Sequence, residues 1–151
     1  MKVLSIANFK GGCGKTTSAY YLAKLMSMRR VKTLVIDLDP QHNLTDMFTP
    51  NSVGATIADV LGGLAPAVPI ERALHPLGQM LTLVPSEDTL ANVALGLLSD
   101  VVKGRSALRR ALRQVDNWYG LVVIDCPPEA GILLANALIA SDGVILPAEP
   151  E

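Results

Sequence analysis

The stretch Phe9-Lys10-Gly11-Gly12-Cys13-Gly14-Lys15-Thr16-Thr17 constrains this chain more than any other. The apolar run over 3–7, bounded by polar Asn8, reads as a buried parallel strand. Residues 18–26 read as a helix. Strand, glycine loop, Lys-Thr and helix is the order that a phosphate-binding loop requires. Gly11, Gly12 and Gly14 let the backbone take positive φ, so that several N–H groups converge on one anion. The helix starting near Lys15 aims its positive dipole end at the same point. Lys15 is placed to reach β- and γ-phosphate oxygens, and the Thr16 hydroxyl to join the shell of a magnesium ion. A glycine-rich turn with no ligand is the plain alternative, and Gly-Lys-Thr in this context argues against it.

Further along, 32–37 reads as a second strand that runs into Asp37-Leu38-Asp39-Pro40-Gln41-His42-Asn43-Leu44-Thr45. Carboxylates at i and i+2 of a strand point to one side, and at a carboxyl-terminal strand edge Asp37 and Asp39 face the crevice of the loop. Pro40 ends the strand because it has no N–H for a ladder. Loop signals at Thr49-Pro50-Asn51-Ser52 and at 66–69 flank one or two short helices, near 57–61 and 71–74. A third strand is predicted at 81–85. A fourth, at 119–125, is an aliphatic run that delivers Asp125 beside the magnesium. A helix over 132–140 and a fifth strand over 142–147 complete the pattern.

A helical region from about 87 to 115, broken near Gly104, carries a basic stripe. Arg105, Arg109 and Arg113 stand four apart on one face, and Leu108, Leu112 and Val115 form an apolar one. The stripe suits an anionic partner such as DNA backbone. With no stacking aromatics interleaved, a solvated face is the plainer reading.

The loop departs from the ordinary G-x-x-x-x-G-K-[ST] spacing, because Phe9 stands where the first glycine belongs and Lys10 sits just inside. In this it resembles the ParA/MinD family of deviant P-loop ATPases, whose loop reads K-G-G-x-G-K-T. The segment from Asp37 to Thr45 resembles the ParA form, D-x-D-P-Q-x-N-x-T, more than the MinD branch. Asp125-Cys126-Pro127-Pro128-Glu129-Ala130-Gly131 resembles D-x-P-P-x-x-G, and the block at 142–147 resembles A-D-G-V-x-x-P. One departure is His42, where many relatives have glycine.

The resemblance implies an α/β fold, a doubly wound and mostly parallel sheet with helices on both faces. It implies an ATPase that uses ATP and Mg2+, dimerises on ATP and binds DNA nonspecifically. A ParB-like partner would stimulate hydrolysis during DNA segregation. Carried over residue by residue, Gly11, Gly12, Cys13, Gly14, Lys15, Thr16 and Thr17 bind the nucleotide. Thr16 and Asp125 hold magnesium, and Asp37 supports it through the hydration shell. Asp39 aligns the attacking water, and Lys10 reaches across a dimer to the partner's nucleotide, where its charge stabilises the transferring phosphoryl group. Two alternatives stand beside this: a positioning ATPase acting on a membrane or protein scaffold, and a nucleotide-binding module without turnover.

Composition sets bounds around these motifs. A chain of 151 residues, 50% hydrophobic and 18% charged, fits one domain with an aliphatic α/β core. A formal net charge of −1 gives no global pull toward nucleic acid or membrane, so any such binding must come from a local patch. The apolar start is interrupted too soon for a signal peptide and no apolar run approaches membrane-spanning length, so a cytoplasmic location is expected, nucleoid-associated where DNA is bound. Cys13 and Cys126 read as small reduced residues filling tight space. The sequence ends at Glu149-Pro150-Glu151, directly after the fifth predicted strand, with no helix left to cover it. Residues 1–151 are therefore expected to be a single P-loop ATPase domain that lacks its carboxyl-terminal part, which in the family holds the adenine pocket and much of the DNA-binding surface.

Overall fold

The computed structural model describes residues 1–48, 54–63 and 65–148. Strands β1 (Lys2–Ile6), β2 (Thr33–Asp37), β3 (His75–Pro76), β4 (Leu81–Val84), β5 (Leu121–Asp125) and β6 (Gly143–Ile145) form one sheet in the order β3-β4-β2-β5-β1-β6. Every pairing is parallel except that of β3 with β4. The helices are α1 (Lys15–Met28), α2 (Asn43–Phe48), α3 (Ile57–Leu61), α4 (Leu90–Leu97), α5 (Val101–Gly104), α6 (Ala107–Leu112) and α7 (Ile132–Ala140).

β2 and β5 are central and buried along their whole length, which explains why both are unbroken apolar runs up to their terminal acids. Their side chains alternate between two cores. Ile6, Val35 and Val123 pack with Ala19 and Ala23 of α1 and Leu44 of α2 on one face. Leu34, Ile36, Val122 and Ile124 turn to the other face, toward residues of α3, α4, α6 and α7 such as Val60, Leu90, Leu108 and Ala137. Helices thus cover both faces, as a doubly wound sheet requires. Among the described residues no helix is long and apolar enough to cross a membrane.

The five predicted strands are present, and β3 is an addition. It is two residues long, antiparallel, at the sheet edge, and contains Pro76. So short a segment has no periodicity to read, and a proline is tolerated there only because the position is an edge. The short helix α2 is also additional. The loop predicted at Thr49-Pro50-Asn51-Ser52 and the terminal Glu149-Pro150-Glu151 lie outside the described residues.

The region predicted as one helix with a break near Gly104 is more divided than that. α4, α5 and α6 are separated by a one-turn 3-10 segment, Leu98–Asp100, and by a break at Arg105-Ser106. Gly104 is buried against the preceding turn, and a Cβ placed on it would sit 2.1 Å from the Leu97 carbonyl oxygen. Asn136, fully buried on α7, splints the break: its amide donates to the carbonyls of Gly104 (2.9 Å) and Ile132 (2.8 Å) and accepts from Leu108 N–H (3.0 Å). Gly104→Ala is therefore expected to lower stability by about 2–3 kcal/mol, since the obstructing atom is backbone and cannot swing aside. Urea unfolding tests this, and a loss under about 0.5 kcal/mol would show that the α4–α5 junction yields freely.

Candidate phosphate-binding site

The carboxyl ends of three neighbouring strands meet at one level, because Asp125 pairs in register with Ile6 on one side and with Asp37 on the other. The loop leaves β1 at this edge. Asn8 ties it down: its side-chain oxygen accepts from Lys10 N–H at 3.0 Å, and its amide donates to the Pro147 carbonyl at 2.6 Å. Gly12 and Gly14 have φ of 75° and 84°, the left-handed region that favours glycine. A Cβ on Gly11, Gly12 or Gly14 would meet no other part of the chain within 4 Å, and all three glycines line an open cleft. Gly14 caps α1, so the first free N–H groups of that helix face into the curve.

Lys15 is only 8% exposed, and its ammonium reaches just one acceptor among the described residues, the Lys10 carbonyl at 3.5 Å. A cation held this loosely inside a loop of N–H groups is matched to an anion with several oxygens. The loop glycines, Lys15, Thr16 and Thr17 form one wall of a cleft of about 540 Å³, with Asp39, Gln41, Asn43, Met47 and Pro128 opposite.

The three acids differ in what they do. Asp37 is fully buried and spent on the fold: one oxygen accepts from Asp39 N–H (3.1 Å), the other from the N–H and hydroxyl of Thr45 (both 2.8 Å). Burial pushes its carboxyl up to about 6, against the pull of those hydrogen bonds. Asp39 lines the cleft, and its oxygen accepts from Gln41 N–H at 2.9 Å. Asp125 is 1% exposed, and neither of its oxygens has a hydrogen-bond partner among the described residues. Burial pushes it up to about 7. The Thr16 hydroxyl and the Lys15 charge lower it somewhat without completing a hydrogen bond, and the charges of Asp37 and Asp39 raise it.

An orphaned buried carboxylate beside a threonine hydroxyl fits a hard divalent cation. No group of three His, Cys, Asp or Glu side chains among the described residues is placed to hold a metal. A cation here would take its remaining oxygens from phosphate and water, the habit of magnesium.

Two residues support the site from behind. Ser86 donates from its hydroxyl to the Asp39 carbonyl (2.8 Å) and from its N–H to the Thr45 hydroxyl (2.9 Å). Thr45 thus links Asp37 to a segment 41 residues away. Thr45 belongs to the motif already quoted, while Ser86 reads in the sequence, with Asp88, only as a start signal for the next helix, and nothing there marks its contact with Asp39. Cys13 and Cys126 are free thiols and both buried, with Cys126 pushed up to about 12 by burial. Of the arginine stripe, Arg109 and Arg113 line one notch with the amino terminus and Asp116, at the amino-terminal edge of the strands, opposite the cleft. Arg105 lies across the helix break from them and is not part of that notch.

Loop, capped helix and strand-end acids together define a P-loop α/β protein of the nucleotide-binding kind. The AAA domain family matches residues 1–151, and the chain belongs to that family. It is 34% identical to the chromosome partitioning protein ParA of Myxococcus xanthus over 155 residues, covering 99% of this chain and 53% of that one. Cobyrinic acid a,c-diamide synthase from Mycobacterium smegmatis, with a bound ATP analog and magnesium, superposes with a TM-score of 0.90 at 35% identity, covering 98% of this chain and 60% of the other. A plasmid partition protein from Borrelia burgdorferi superposes at 0.84 and 32% identity, covering 99% and 66%. The chain spans about half the length of the curated relatives it matches.

Proposed function

We propose that this chain is the nucleotide-binding portion of a ParA-type partition ATPase that uses ATP and Mg2+. The observation that carries the reading is the meeting, at the carboxyl edge of the sheet, of a cleft lined by the glycine loop and the loosely held Lys15 with the unpartnered Asp125, buried beside Thr16. The loop amides and Lys15 hold the phosphates, with Gly11 to Thr17 as the cradle. Thr16 and Asp125 are the groups that would hold Mg2+, and Asp37 acts from behind, since both its oxygens are engaged in the fold. The bound ion neutralises phosphate charge. Asp39, on the opposite wall, aligns the attacking water, and Ser86 and Gln41 fix the backbone and carboxylate that do so. Lys10 completes the site across an ATP-dependent homodimer, in which a ParB-like partner stimulates turnover. The setting is the cytoplasm, on nonspecific DNA.

Binding to nonspecific duplex DNA, measured for this chain and for the full gene product at two salt concentrations, tests the reading. Binding that needs ATP and falls steeply with salt supports it. Binding by this chain alone would point to the Arg109–Arg113 notch. A full product that ignores DNA under every nucleotide would instead place it among positioning ATPases on a membrane or protein scaffold. A second reading, a P-loop enzyme that modifies a small molecule, draws on the likeness to cobyrinic acid a,c-diamide synthase. ATP turnover driven by a small acid and indifferent to DNA would favour it, while ATP binding without turnover under any condition would leave a binding module.

A further inference from the structure

We infer that His42 is a positioning residue that clamps the 39–43 loop between α2 and the turn ahead of α4. The effect on turnover rests on the function proposed above, but the clamp itself does not. His42 has φ of 45°, a left-handed conformation uncommon outside glycine. Its two sequence neighbours, Gln41 and Asn43, both line the cleft. The backbone is pinned on either side: His42 N–H donates to the Asp39 carbonyl at 2.9 Å, and Asp46 N–H donates to the His42 carbonyl at 3.0 Å. The ring sits between two carboxylates, hydrogen-bonded to one and within ion-pair distance of the other. Nδ1 lies 3.1 Å from an Asp46 oxygen on α2, and Nε2 lies 3.5 Å from an Asp88 oxygen in the turn before α4.

That arrangement favours two protons on one ring. A carboxylate only accepts, so Nδ1 donates to Asp46, and the Asp88 carboxylate beside Nε2 attracts a second proton there, which makes the imidazolium the form that both acids favour. The charged groups that face the ring are Asp46 from α2, Asp88 from the turn and, at longer range, Asp37 at the end of β2. Burial lowers the ring's pKa, while hydrogen bonding and charge from Asp46, then the charges of Asp88 and Asp37, raise it. The net direction is above the ordinary 6.5. The clamp is therefore complete below the unfolded value and is lost as pH rises through the folded one. Each contact is partly solvated, so opening the clamp is expected to change loop protection by about two- to fivefold, the range of exposed ion pairs. In consequence, the segment bearing Asp39 is held more tightly in mildly acidic than in mildly alkaline solution.

Two variants separate the clamp from mere packing. His42→Gly keeps the left-handed backbone and removes the ring, and Asp88→Asn keeps the ring and removes one charged acceptor. The His42 ring is titrated by NMR in the intact chain, with His75 as internal reference. Hydrogen exchange at the Gln41 and Asn43 amides is read at about pH 6 and about pH 8.5, corrected for intrinsic rates. The parent should titrate above 6.5, fall toward it in Asp88→Asn, and lose about two- to fivefold protection at the higher pH. His42→Gly should abolish that difference. Titrations of Asp37 and Asp125 are common to parent and variants. In turnover, the clamp predicts a shifted pH profile of kcat with KM nearly unchanged. A ring that titrates at 6.5, with the same pH dependence of protection in parent and His42→Gly, would overturn the inference. NMR and exchange need no ATP, so failure of this chain to bind MgATP would sink the proposed function and leave the clamp standing.

Discussion

Lys15→Ala is expected to weaken MgATP binding by about two orders of magnitude or more while leaving the chain folded. Two charge-assisted contacts to phosphate oxygens, worth about 1.5–3 kcal/mol each, would be lost with the ammonium. The fold survives because the side chain, although buried, has only its 3.5 Å approach to the Lys10 carbonyl among the described residues, so little native bonding is removed. A fluorescent ATP analogue titrated into parent and variant reads the affinity, and thermal unfolding without nucleotide reads the fold. A loss of less than about threefold would show that the glycine cradle and helix N-terminus alone hold the phosphates. Lys10→Ala is the companion test. It should bind ATP within about threefold of the parent and lose only the dimer-dependent part of hydrolysis, because its proposed target is the partner's nucleotide. Normal hydrolysis in that variant would remove Lys10 from the cross-dimer role.

The loop was legible in sequence because its requirements are local: φ values that favour glycine at positions 12 and 14, and a lysine and threonine at the first turn of the helix that follows. The strands were legible for a related reason. Central parallel strands are buried on both faces and so must be apolar throughout, as 121–124 and 34–36 are. What the sequence does not carry is strand order. Asp37 and Asp125 each read as an acid at a strand end, but their side-by-side register comes from the pairing of β2 with β5, which no local pattern encodes. The same holds for Ser86, whose part in holding Asp39 depends on β4 lying next to β2. The basic stripe shows the opposite failure. Arginines four apart share a face only on a continuous helix, and the chain breaks between Arg105 and Arg109, at the turn that Gly104 and Asn136 build. His42 is the mixed case. It stood out as a departure from glycine, yet only the backbone angle and the two carboxylates around its ring say what the departure does.

Asp125→Asn is expected to make the nucleotide-free chain more stable at pH 8 and insensitive to the ion it would otherwise hold. The carboxyl of Asp125 has an ordinary value of 3.8 and is pushed up to about 7 in the fold, chiefly by burial. Because the folded value is the higher one, the folded state holds the proton more tightly than the unfolded chain. The stabilising contribution is full below 3.8 and is lost as pH rises through about 7, while Asp37, at about 6, adds a slope of the same sign. The parent should therefore lose stability between about pH 5 and about pH 8 in the absence of nucleotide. Asparagine copies the shape of the protonated acid and cannot ionise, so the variant should gain on the order of 2–4 kcal/mol over the parent at about pH 8 and less than half of that at about pH 5, where only the unfolded chain has begun to ionise. Magnesium with ATP reverses the order. A cation beside the carboxylate favours the charged form that burial opposes, so the parent gains stability on adding MgATP and the variant gains little. Urea unfolding at the two pH values, with and without MgATP, gives four comparisons. A variant no more stable than the parent at about pH 8 would mean that water or an unseen group already satisfies Asp125. A variant stabilised by MgATP as strongly as the parent would place the ion elsewhere. The two results fail separately, so the buried charge and its proposed use are tested independently.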